Sequence, residues 1–343
     1  MDARKRRVLQ ALVTDYIATA EPVGSRTLVR KYGLGVSSAT VRNEMADLEE
    51  AGYLEQPHTS AGRIPSDKGY RYYVDELMPP APVDRDTRDR IRAALRTRVR
   101  EIRWLLHQAG QLVSAITHYP TVVLGPGGAD AHLLDLRVVP LEGEQVLLVL
   151  QTSAGLVQTR TVSLPPDLDP RALAALAEDF TRRYQGTPVK DLGDRVTDLE
   201  GGLRRHRRLW EALTAWLHEW GAEEEDRITV SGLLNILAEP EFRDVSRVRR
   251  VLGFLERDGV RLLEELAAGE GTVSVAIGAE LGSYASELAD ALAGCSVISA
   301  TYTVGGETLG QVVVIGPTRM YYARVMAVLD VMAGELSRAL KWA

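Results

Sequence analysis

Ser38, Ala39, Thr40, Arg42 and Asn43 fall within one short stretch that mixes small, hydroxyl, amide and guanidinium side chains. No covalent chemistry follows from that set. It suits hydrogen bonding to the polar edges of bases in a major groove, where Arg and Asn pair bidentately with purines and small residues let the helix approach. Grouped catalytic types are missing elsewhere in the sequence. No phosphate loop ends in Gly-Lys-Ser/Thr, and no His-Glu-x-x-His pattern occurs. Gly125-Pro126-Gly127-Gly128 lacks the dinucleotide-binding spacing, and no serine sits in a Gly-x-Ser-x-Gly elbow. The six histidines (58, 107, 118, 132, 206 and 218) are scattered singly. Cys295, the lone cysteine, excludes an intramolecular disulfide and any multi-cysteine metal site. It lies in a strand-like run and reads as a small buried hydrophobe. No enzyme, no cofactor and no metal is expected.

The elements that would carry the polar set can be read around it. Ser37 or Ser38 can cap a helix, Gly52 can end it, and Val41, Met45 and Leu48 form one apolar stripe. Ala39 and Asn43 then point away from that stripe, with Thr40 and Arg42 on its flanks. A preceding helix is expected from about Lys5 to Ala20, broken by Glu21-Pro22. A second short helix, Arg26 to Lys31, is expected to be capped by Ser25 and ended by Gly33 and Gly35. Beyond Gly52, the stretch from Tyr53 through Asp67-Lys68-Gly69-Tyr70-Arg71-Tyr72-Tyr73 reads as a β-hairpin wing with Gly62 at its tip. His58, Ser60 and Arg63 would work from that wing on phosphates or in a minor groove. The tyrosines read as anchors of the wing or the next helix. A three-helix unit with a hairpin can also serve docking or dimerisation; the agreement of spacing, turns and hairpin favours DNA.

Charge points the same way once it is resolved along the chain. The whole chain is acidic, with net charge −6. Residues 1–43 hold eight Lys/Arg against three Asp/Glu, whereas residues 44–62 hold five acids and no Lys or Arg. A basic face with an acidic back steers binding to phosphate without making the whole protein a polycation.

Length and breakpoints imply two to three domains. Met78-Pro79-Pro80-Ala81-Pro82-Val83-Asp84 reads as an extended linker. A long helix, about Thr87 to Thr117, follows. Leu95, Val99, Ile102, Leu106, Ala109, Val113 and Ile116 repeat at alternating spacings of four and three, either a dimer seam or a face laid on the chain's own sheet. Eight arginines lie between 85 and 103 and read as a solvated face or, for some of them, as contacts to flanking phosphates. Strands are expected at 121–124, 133–139, 144–152 and 155–162, then at 272–277, 295–303 and 309–315. Helices are expected from 169 to 184 and from Arg319 to Trp342. Between about 190 and 270 the character differs: Trp210, Trp216 and Trp220 share one expected helix, a short strand is expected from Ile228 to Val230, and a helical stretch from Val245 to Leu266. The whole segment is either an insertion carrying a dimer interface, for which tryptophan is suited, or a cap on its own domain. The charged residues 3–7 exclude a signal peptide and no apolar run approaches a membrane span, so a cytoplasmic protein is expected.

Several motifs together carry a family resemblance. They are Pro22-Val23-Gly24-Ser25-Arg26-Thr27-Leu28, the stretch Val36 to Gly52, and Pro57 to Arg71 with its Gly62-Arg63-Ile64-Pro65-Ser66-Asp67 core. Pro240-Glu241-Phe242 and Gly316-Pro317-Thr318-Arg319-Met320 complete the set. In order and spacing these resemble the HrcA family of heat-inducible transcription repressors. The resemblance implies an α+β multidomain fold: an N-terminal winged helix-turn-helix, and a GAF-like α+β domain interrupted by an inserted dimerising domain. Mapped on this chain, the expected divisions are 1–78 for the winged helix and 79–100 for the linker and start of the long helix. The GAF-like domain takes 101–190 and 270–343, and the insertion 191–269. The resemblance also implies a homodimer on an inverted-repeat, CIRCE-type operator of chaperone operons, with activity maintained by the GroE chaperonin. Two rivals stand beside it. One is a winged-helix regulator whose GAF-like domain senses a small effector. The other is an enzyme with a DNA-binding head, such as a biotin ligase, whose glycine- and arginine-rich loop is absent.

Overall fold

The computed structural model describes residues 1–58, 61–95, 102–125, 132–141, 145–152, 157–163, 170–196, 212–218, 228–242, 244–257, 273–284, 290–304 and 306–341. The expected base-contacting helix is present as α3 (Ser38–Glu50), supported by α1 (Ala3–Thr19) and α2 (Ser25–Tyr32). Each begins where local chemistry allows. Asp2 caps α1 by accepting from the Lys5 amide, and Ser37 caps α3 by accepting from the Thr40 amide. The cap of α2 departs from expectation. Ser25 is its first helical residue and is buried, and Gly24 holds the cap position without a side-chain bond. At the far end of α3 the Gly52 amide donates to Glu49 and the Tyr53 amide to Leu48, which satisfies two terminal carbonyls. Val8, Leu9, Leu12 and Val13 of α1 pack with Leu28, Val41, Met45 and Leu48 in one buried cluster.

A short antiparallel hairpin follows, β1 (Leu54–Glu55) against β2 (Ile64–Pro65). Two expectations change here. Asp67–Tyr72 is a helix, α4, continued as a π-helical turn over Tyr73–Leu77, not part of the hairpin. Ser66 makes the difference by accepting from the Gly69 amide as an N-cap. Gly62 is not at a free tip: it lies against Val23, where an added Cβ would fall 2.4 Å from the carbonyl oxygen. Arg63 and Val23 exchange two backbone hydrogen bonds of 2.9 Å there, so the hairpin is stitched to the chain entering α2.

Downstream lie α5 (Arg85–Leu95) and α6 (Ile102–Thr117); residues 96–101 of the expected long helix, Val99 among them, lie outside the described residues. Leu106, Ala109, Val113 and Ile116 are buried against the chain's own core, which answers the heptad question for those positions: they face the sheet. That sheet contains β3 (Thr121–Leu124), β7 (Ile228–Ser231), β8 (Val273–Ile277), β9 (Cys295–Val304) and β10 (Glu307–Pro317), ordered β7-β3-β10-β9-β8 and antiparallel throughout. Side chains alternate across it. Val312 and Val314 meet α6 and the C-terminal helix Tyr322–Leu340 on one face, and Val313 and Ile315 meet Phe242, Val251 and Phe254 on the other. The last helix starts three residues later than expected, after a turn through Thr318-Arg319-Met320.

A second sheet, β4 (Leu133–Pro140), β5 (Gln145–Thr152) and β6 (Val157–Ser163), has its own core with α7 (Pro170–Tyr184), α8 (Val189–Val196) and the helical residues 212–218. The expected divisions at 190 and 270 run across these sheets. β7, from the stretch read as an insertion, pairs with β3, while β4 to β6 form a sheet apart. Trp216 is buried in that unit's core; Trp210 and Trp220 lie outside the described residues.

Candidate nucleic-acid interface

The exposed side of α3 carries Ala39, Arg42, Asn43 and Ala46, while Val41, Glu44, Met45 and Leu48 are buried. Ser38 and Thr40 are half-buried at the helix start, and the Thr40 hydroxyl lies 3.0 Å from that of Ser37. The sequence reading of this helix therefore matches its two faces. Ala46, which that reading passed over, extends the exposed face by one turn. The periodic spacing 39, 42, 43, 46 was the available signal.

The hairpin differs from expectation in the state of its charges. His58 is exposed, Ser60 lies outside the described residues, and Arg63 is engaged. Its Nε donates to the Glu49 carboxylate at 2.8 Å and its Nη2 lies 2.7 Å from the same oxygen, so it fastens the hairpin to the end of α3. Most other cations of the head are engaged as well. Arg4 pairs with Glu44, Lys5 with Glu44 and Asp47, and Arg6 with Glu76. Asp47 first, then Glu44, raises the Lys5 ammonium above its ordinary pKa. Lys31 pairs with the buried carboxylate of Asp15. The acidic back expected from charge counting is thus largely an internal partner of the basic residues.

Two polar bridges that the sequence did not reveal hold the head on the main sheet. Arg71 donates to Glu280 (Nε to Oε1, 2.8 Å) and to the Val275 carbonyl (2.7 Å), while the Asp67 carboxylate accepts from the Ala279 amide at 2.8 Å. Arg319, only 8% exposed, donates to Glu241 and Glu239 at 2.5 Å and reaches the Ile17 carbonyl of α1 at 3.4 Å. The motifs around 240 and 316–320 are therefore two halves of one ion cluster. Between the bridges the Tyr70 and Tyr322 rings stand 6.1 Å apart, and burial raises the Tyr70 hydroxyl well above its ordinary pKa.

Among the described residues no group of His, Cys, Asp and Glu is arranged to hold a metal. No helix among them is long and apolar enough to cross a membrane. Burial pushes the Cys295 thiol up to about 12, far from a reactive thiolate.

A compact helical head with a solvent-facing polar helix, fastened to a larger α/β body, is the build of a transcription regulator, and comparison with known proteins agrees. A heat-inducible transcription repressor of Moorella thermoacetica is 41% identical over 99% of this chain and 98% of its own length. One of Symbiobacterium thermophilum is 43% identical over 98% of each. The family model of the HrcA protein C-terminal domain matches residues 104–326. The class is therefore heat-inducible transcription repressors, not enzymes. Within it, the chain belongs to the HrcA family. A crystal structure described as that of a hypothetical protein covers all of this chain and 99% of its own, with a TM-score of 0.66 at 24% identity, which shows a shared fold.

Proposed function

We propose that this repressor binds, as a homodimer, an inverted-repeat operator of the CIRCE type upstream of chaperone operons. Its head acts as a winged helix: Ser38, Ala39, Thr40, Arg42 and Asn43 face base edges, with His58, Ser60 and Arg63 in the adjoining hairpin. The observation that carries this reading is α3, whose exposed side presents Arg42, Asn43 and two alanines while its other side is sealed in the core. Two such heads in register supply the specificity that one short footprint lacks. The main sheet with its flanking helices serves as the GAF-like body. The separately cored unit within residues 125–227 serves as the insertion that joins two chains. A GroE-type chaperonin maintains the folded fraction, in the cytoplasm where the operator is.

Footprinting upstream of the chaperone genes tests the reading. Protection of both arms of an inverted repeat is expected, and protection of a single unpaired site would overturn the dimeric form of the proposal. Chaperonin with ATP should raise the titratable active fraction at constant intrinsic Kd, because apparent affinity scales with the competent fraction. A constant fraction, together with a metabolite that shifts binding, would favour an effector-sensing body instead.

A further inference from the structure

The pairing pattern of the head singles out an unpaired guanidinium away from α3. Arg4, Lys5, Arg6, Lys31, Arg63 and Arg71 all face carboxylates of the same chain. Among the described residues of the head, Arg7, Arg26, Arg30, Arg42 and Lys68 are exposed and enter no ion pair, and Lys68 is taken up by the Ala51 carbonyl at 2.9 Å. Arg42 lies on the base-facing side of α3. Of the three other arginines, Arg7 has a distinctive setting: it lines an open cleft of about 580 Å³ together with Asp2, Arg4, Leu34, Gly35 and Val36. Gly35 and Val36 lead directly into the Ser37 cap of α3, so the cleft borders the start of the recognition helix. The other charges in the cleft are already engaged. Arg4 lies 3.3 Å from Glu44, and the Asp2 carboxylate accepts from the Lys5 amide at 2.8 Å and meets the Lys5 ammonium at 3.6 Å.

We infer that this cleft between α1 and the turn before α3 receives a backbone phosphate of the bound DNA, with Arg7 as its anchor. The assignment rests on the DNA-binding reading above. A guanidinium held by no carboxylate keeps its forked donors for a phosphodiester, and it neutralises one phosphate without reading the base. A phosphate seated there would fix how deeply the start of α3 enters the groove. Arg4, one turn away in the same cleft, is neutralised by Glu44 and serves the fold of the head.

The test is a salt series on the full-length protein, with a duplex carrying the inverted repeat and an unrelated duplex of equal length. Neutralising one phosphate contributes about 0.9 to the slope of log K against log salt, roughly an eightfold change in affinity at about 0.1 M salt. Arg7→Ala should therefore weaken both duplexes by the same factor, about eightfold per bound subunit, and lower the slope by about 0.9 per subunit. Arg7→Lys should restore the slope, and Arg4→Ala should leave it unchanged. The melting temperature of Arg7→Ala should match that of the wild type, because the side chain is exposed and unpaired. An unchanged slope in Arg7→Ala, a loss confined to the inverted repeat, or an equal slope change in Arg4→Ala would overturn the assignment while leaving DNA binding through α3 intact. Wild-type protein that prefers neither duplex would remove the DNA-binding reading, and this assignment with it.

Discussion

At the scale of residues, the proposed interface is defined by which polar side chains the fold leaves unoccupied. Arg42 and Asn43 project from α3 without an ion pair. Replacing either with alanine should cost roughly 1–3 kcal/mol at the inverted repeat and much less on unrelated DNA, as titrations of both duplexes would measure. Equal losses on both would reassign the residue to phosphate or to folding. Cys295 illustrates the opposite case. It is fully buried and its thiol is pushed up to about 12 by burial, so at pH 8 almost none is thiolate. A disulfide reagent should leave the native protein unlabelled and modify one thiol per chain once denaturant is added. Rapid native labelling would show that the strand end opens.

At the scale of elements, the head depends on a close approach between α4 and the segment leaving α3. A Cβ on Gly69 would lie 2.1 Å from the Tyr53 carbonyl oxygen, a contact with backbone that no rotamer change relieves. The same Tyr53 carbonyl accepts from the Ser66 amide at 3.2 Å, and Ser66 caps α4. Gly69→Ala should therefore destabilise by about 1–3 kcal/mol, as overpacking does, and lower the thermal midpoint. Ser37→Ala tests the other end of the recognition element. Loss of the cap should cost about 1 kcal/mol and weaken operator binding through fraying of the first turn. These elements were readable beforehand because their signals are local. Caps, apolar stripes at spacings of three and four, and the β-branched runs along 121–124 and 295–303 each involve residues within a turn or two. The segment 67–72 is a helix where a hairpin is expected because Tyr-rich, glycine-containing segments suit both; the Ser66 cap and the packing of Gly69 decide between them.

At the scale of the whole molecule, strand register fixes where the chain between β3 and β7 departs from the main sheet. Leu124 ends β3 and Ile228 begins β7, and the two are directly paired. Everything between them leaves and returns at the open end of one antiparallel ladder, where a two-residue Asn-Gly turn fits. Replacing 125–227 by such a turn should leave the main sheet folded. If the removed unit holds two chains together, light scattering should report a monomer with weak operator binding. A truncated chain that is still dimeric would place the seam on the main body. The head shares one buried cluster with α5, α6 and the C-terminal helix, so it should retain its docking in the truncated protein.

The sequence by itself determined the polar side chains on the exposed side of α3, the buried faces of α1 and α3, most strands, and a resemblance that the comparisons bear out at the level of the family. Tertiary structure alone decided which charges remain available. Arg63 and Glu49 are 14 residues apart, and Arg319 and Glu241 are 78 apart, so neither pair can be recognised from spacing. The same holds for β7 against β3, whose segments are separated by the whole second sheet. Local propensity acts over a few residues of chain. Ion pairing and strand register act over a few ångströms of space, and only the fold relates the two.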